Sequence, residues 1–148
     1  MQIIKNTSNS LSNTMVDIKI KLAALWLVFM LVYIYTDFYT LYVPGKVDEI
    51  LSGFKDGMMI TQVSLLVIAV ITIIPAMMII LCLMINAKVN RWLNIILGIL
   101  HVAIGVVNLV GATWSYYIYY GVLLIFIALC IVVISWKWPN CSMEEKKS

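Results

Sequence analysis

Four long apolar runs constrain this chain more than any other feature: Leu22 to Val43, Met58 to Ile85, Trp92 to Ala112 and Tyr116 to Trp136. An α-helix needs about 20 residues to cross the hydrocarbon layer of a bilayer, and each run is about that long. The rest of the chain cannot cover such runs in water. Of the 148 residues, 64% are hydrophobic and 11% charged, where a soluble domain carries about 25% charged residues. This excludes a soluble globular domain, a disordered chain and a nucleic-acid module. Membrane β-strands alternate polar and apolar residues over about ten positions, and these runs do not alternate. The expected fold is all-α, an integral membrane four-helix bundle. The joining segments VPGKVDEILSGFKDG, NAKVNR and TWS are short. They make consecutive helices antiparallel neighbours, in an up-down-up-down order.

Residues 1–15 are rich in Ser, Asn and Thr and read as a flexible polar tail. Residues 16–138 form one transmembrane domain and 139–148 a second tail. The first run continues into the bulky TDFYTLYVPG, where a cleavable leader needs small residues, so this span is expected to stay on the mature protein. Orientation follows from the basic residues. Lys5, Lys19, Lys21, Lys88, Arg91, Lys137, Lys146 and Lys147 fall on one side of a four-span arrangement. The other side holds only Lys46 and Lys55, beside Asp48, Glu49 and Asp56. The positive-inside rule then places both termini in the cytoplasm, in a plasma membrane. Aromatic residues fit the same arrangement: Trp26, Trp92, Trp136 and Trp138 at the inner belt, Tyr39, Tyr42, Trp114, Tyr116 and Tyr117 at the outer one. The formal charge of +3 is scattered over the links, so the expected partner is the lipid bilayer and not a nucleic acid.

Several segments carry a resemblance: Lys21 to Trp26 (KLAALW), YIYTD ending at Asp37, Pro44-Gly45, ITQ ending at Gln62, and Asn90 to Ile96 (NRWLNII). With them the chain resembles a group of small four-span bacterial membrane proteins of unknown function, over nearly everything after Met15. The resemblance implies the fold and carries no reaction with it. Val32 stands where that group commonly has Asn, and Ile73 where some members have Glu. The architecture alone is also similar to that of the DoxX-like membrane proteins.

Polar groups inside apolar runs are the candidate functional residues, because an intramembrane charge costs about 2.5–3.5 kcal/mol on insertion scales and is retained for a reason. Asp37 is the first. On the third span, Asn94, Gly98, His101, Gly105, Asn108 and Ala112 recur at steps of four and three and share one face. That face serves as a packing seam, or as the contact for a second copy or a larger membrane protein. His101 is the only histidine, and histidine is the side chain suited to a proton relay near neutral pH. Pro75 kinks the second span, and Thr72 stands ready to bond the carbonyl it frees. Gln62, Ala69 and Ala76 recur at sevens as a second seam. Cys82 and Cys130 read as packing residues and the odd third, Cys141, as a tail thiol. No spacing suggests a metal or a cofactor.

At about 1.5 Å per residue, Asp37, Asn108 and Gln62 all stand roughly 22–24 Å above the inner boundary, with Tyr120 within a turn. They are expected to form a small polar pocket, with His101 deeper on the Asn108 face. Three functions follow. The first is a non-catalytic packing or interaction protein. The second is a small transporter or channel with a polar path past Asp37 and His101. The third is a quinone-linked membrane redox protein. Proton flux in liposomes separates the second from the first, and the absorbance of a bound chromophore separates out the third.

Overall fold

The computed structural model describes residues 16–138; both expected tails lie outside them. Four long helices dominate: α1 (Ile18–Thr40), α3 (Gln62–Met84), α4 (Ala87–Leu109) and α5 (Ser115–Trp136). A short helix α2 (Lys46–Leu51) and a two-stranded hairpin, β1 (Phe54–Lys55) and β2 (Met58–Met59), fill the first link. The long helices have 22 or 23 residues each and are apolar enough to cross a membrane. The chain is a membrane protein.

Three helices start where a side chain takes up a free backbone N–H, which moves each span from its hydropathy limits. Asp17 accepts from the Lys19 N–H, so α1 begins four residues before Leu22. Asn86 accepts from the Val89 N–H, so α4 runs back through the polar KVNR and only Ile85 and Asn86 join it to α3. Thr61 and Ser64 cap each other reciprocally at the start of α3. Met58 and Met59 therefore belong to the hairpin and not to the span. Asp56 (φ 52°) and Gly57 (φ 77°) make its two-residue turn, with Lys55 opposite Met58. Lys46 ties the hairpin to α2 through Asp56 (2.6 Å) and Glu49 (2.8 Å), and Glu49 also accepts from the Gly57 N–H. Bonding to Asp56 and then Glu49 holds the Lys46 ammonium above the usual lysine range. Bonding from Lys46 and then Gly57 holds the Glu49 carboxyl below the usual glutamate range.

Helix neighbours run in the order α3, α1, α5, α4 around the bundle. The expectation that all consecutive spans pack side by side holds for α1 with α3 and for α4 with α5. It holds only weakly for α3 and α4, which touch sparsely despite the shortest connection. Their hydrogen bonds gather beside that connection, at Cys82, Asn90 and Asn94. The backbones of α1 and α4 lie on a diagonal, and the rings of Trp26 and Phe29 fill the space between them, reaching His101. Trp26 is thus fully buried, a correction to its place in the inner aromatic belt. Trp92 and Trp136 do remain exposed.

Burial is lopsided along the bundle. The base is the end where α1 begins and α5 finishes; the mouth is the opposite end. Leu22, Trp26 and Phe29 of α1 pack against Met78 and Cys82 of α3 and Ile127, Ala128 and Ile131 of α5. Within the long helices every buried side chain except Thr36 lies at or below the level of Phe29 and His101. The α3 seam runs through Pro75, Met78 and Cys82, while Gln62 and Ala69 are exposed. The stripe of sevens therefore does not mark the packed face. The carbonyl that Pro75 frees, four residues earlier at Ile71, also does not take the Thr72 hydroxyl, which donates to Ala69 O at 3.2 Å.

Candidate functional site

The base is closed by a chain of side-chain hydrogen bonds across three helices. Trp26 Nε1 donates to Asn94 Oδ1 at 2.7 Å, Asn94 Nδ2 to Asn90 Oδ1 at 2.6 Å, and Asn90 Nδ2 to the Cys82 carbonyl at 2.6 Å. The Cys82 thiol also touches the Asn94 amide at 3.5 Å. All four residues are fully buried. Cys82 sits in the last turn of α3, where carbonyls lack helical partners, so Asn90 acts as a cap. Lys19 Nζ takes the neighbouring Ile85 carbonyl at 2.7 Å, and Arg91 Nη2 takes Trp136 O at the end of α5 at 3.1 Å. Cations on the C-terminal carbonyls also suit the helix dipoles. Ser135 Oγ is enclosed there without a hydrogen-bond partner, and nothing in the structure explains it.

His101 stands just above this network. Its Nδ1 lies 2.8 Å from Leu97 O. A carbonyl only accepts, so Nδ1 carries the proton. Trp26 and Phe29 meet the ring edge-to-face at 5.5 and 5.1 Å. Asn94, Gly98 and His101 are buried within the chain. A Cβ on Gly98 would fall 2.6 Å from Val132 of α5. The base half of the small-residue face is therefore occupied by the protein's own helices.

The mouth is different. A cavity of about 50 Å³ opens between α1, α4 and α5, lined by Tyr33, Thr36, Asp37, Gly105, Asn108, Leu109, Tyr117, Gly121 and Leu124. Glycines bring α4 and α5 together beside it: a Cβ on Gly121 would meet Leu109 Cδ2 at 2.5 Å, and one on Gly105 would meet Ile125 at 2.8 Å. Tyr116 O–H donates to Thr40 Oγ1 at 3.1 Å at the rim, and Thr36 donates back to Val32 O at 2.8 Å. Among the described residues, the side chains of Tyr33, Asp37, Asn108 and Tyr117 form no hydrogen bond or ion pair within the chain.

Of the five residues grouped from sequence, the structure brings Asp37 and Asn108 to one cavity and leaves three out of its lining. The hairpin makes Gln62 the first residue of α3, exposed at its tip. Tyr120 instead stacks on Tyr39, at 6.0 Å and 16°, and the cavity takes Tyr117, one turn earlier on the same helix. His101 packs edge-to-face against the rings of Trp26 and Phe29, which also touch each other. The Trp26–Asn94–Asn90 network was missed by sequence reasoning. Asn90 and Asn94, four residues apart on one face, were its visible sign.

No curated protein and no solved structure matches the chain, and the expected likeness to DoxX-like proteins finds no support in them. A model of a family of unknown function, DUF6326, matches residues 14–144. With its apolar helices and nearly its whole length inside that match, the chain belongs to the DUF6326 family.

Proposed function

We propose that this is a multi-pass protein of a bacterial plasma membrane, with both termini cytoplasmic and a non-catalytic, interaction role. The orientation rests on eight basic residues against two on the two sides of the spans. The bacterial setting rests on the sequence resemblance. The observation that carries the non-catalytic reading is the closed base. There Trp26, Asn90 and Asn94 spend their polar groups on each other and on the end of α3, and His101 packs against two rings with its Nδ1–H donating to Leu97 O. Buried polar groups in a membrane bundle that bond across helices act as glue.

Proteoliposomes test this. His101→Leu is expected to fold and to leave proton flux at the level of the natural protein, because the ring serves packing. Proton-coupled flux that the natural protein supports and His101→Leu abolishes would overturn the reading in favour of transport.

A further inference from the structure

The two ends of the bundle treat their polar side chains in opposite ways. At the base, Trp26, Asn90 and Asn94 satisfy one another. At the mouth, Tyr33, Asp37, Asn108 and Tyr117 converge on one cavity without bonding each other. Asp37 and Asn108 are exposed there, within a turn of the ends of α1 and α4, and a carboxylate among membrane-spanning helices is a binding-site candidate by default. Partners for these groups have to come from outside the chain.

We propose that this cavity binds a primary ammonium group. The chemistry of the lining selects it. Asp37 supplies one negative charge, which balances one monocation. A calcium site gathers six to eight oxygen ligands, usually with several carboxylates, and the lining has one. Asn108 Oδ1 and the phenolic oxygens of Tyr33 and Tyr117 are neutral acceptors, and with the Asp37 carboxylate they offer enough acceptors for all three N–H donors of a primary ammonium. Aromatic faces attract organic cations, and Leu109 and Leu124 offer apolar wall to the attached carbon. The volume of about 50 Å³ suits a small ammonium head. Such a head could belong to a small free amine or to an ethanolamine phospholipid, whose headgroup lies at the depth of a bundle mouth. The site is defined by the end of the bundle it occupies, so the inference goes beyond the proposed orientation and does not depend on it.

The test uses full-length protein in detergent and follows thermal unfolding in methylammonium chloride, with sodium chloride at equal ionic strength beside it. Methylammonium is expected to raise the melting temperature saturably in the natural protein and not in Asp37→Asn. Tyr117→Phe and Asn108→Ala keep the charge and remove one acceptor each. They are expected to weaken the titration by about fivefold, the loss of one hydrogen bond, and they stand in if Asp37→Asn does not fold. Native mass spectrometry from nanodiscs separates the two sources. Ethanolamine lipid retained over phosphatidylglycerol, and lost in the variants, assigns the site to a lipid headgroup. A methylammonium effect equal in both lipids assigns it to a free amine. The proposal is overturned if sodium acts as well as methylammonium or if the variants keep the full shift. It is equally overturned if there is no shift and no selective lipid retention.

Discussion

Asn94 is the residue on which the base depends. Its amide oxygen accepts from Trp26, and its amide nitrogen donates to Asn90. Removing a buried partner leaves the other group unsatisfied, which costs about 1–3 kcal/mol. Inter-helix hydrogen bonds in membranes are nonetheless modest, with couplings averaging about 0.6 and reaching about 1.7 kcal/mol. Trp26→Phe, which keeps a ring and removes the donor, is expected to destabilise the purified protein. A Trp26→Phe and Asn94→Leu double-mutant cycle is expected to show a coupling of about 1 kcal/mol. Additive effects in that cycle, read by reversible unfolding in detergent, would contradict a direct bond. At this scale the sequence was partly legible. Asn94 and His101 stood out as polar groups in an apolar run. The role of Trp26 did not, because a tryptophan near the start of a span reads equally well as an interfacial anchor. Only its three-dimensional partner distinguishes the two.

Helix starts show why hydropathy misplaces an element by several residues. Apolar runs mark where lipid is, whereas caps mark where the backbone turns. Asp17 and Asn86 extend two helices into polar sequence, and the Asp56-Gly57 turn removes Met58 and Met59 from a third. That Asp-Gly pair is a strong hairpin signal in the sequence itself, hidden by its apolar neighbours. The same shift, which moves the start of the span from Met58 to Gln62, took Gln62 out of the pocket. Helix contacts are sharper still. A Cβ on Gly98 would fall 2.6 Å from Val132 Cγ2 and 3.5 Å from Ala128 O. Gly98→Leu should push α4 from α5 and cost about 1–3 kcal/mol. Ile99→Leu, at a residue 55% exposed on the lipid side, should stay within about 0.5 kcal/mol. Equal melting temperatures for the two variants in detergent would show that the α4–α5 seam is not tight.

As a whole the molecule is a bundle locked at its base and loosened at its mouth. The four spans, their antiparallel course and the all-α class follow from composition and run length, because lipid leaves the backbone few alternatives. The unequal packing of the two ends is not legible in that way. It depends on which faces meet, and Pro75, Met78 and Cys82 rather than the stripe of sevens form the α3 seam. The proposed orientation puts the base in the cytoplasm and opens the mouth on the far side. Labelling in intact cells with a membrane-impermeant maleimide tests it most directly, since the chain carries its own reporter for the base side in Cys141. The natural protein should stay unlabelled until the membrane is broken, while Ser52→Cys in the α2 link and Asn108→Cys in the cavity should label at once. Labelling of Cys141 in intact cells, with Ser52→Cys protected, would contradict the account.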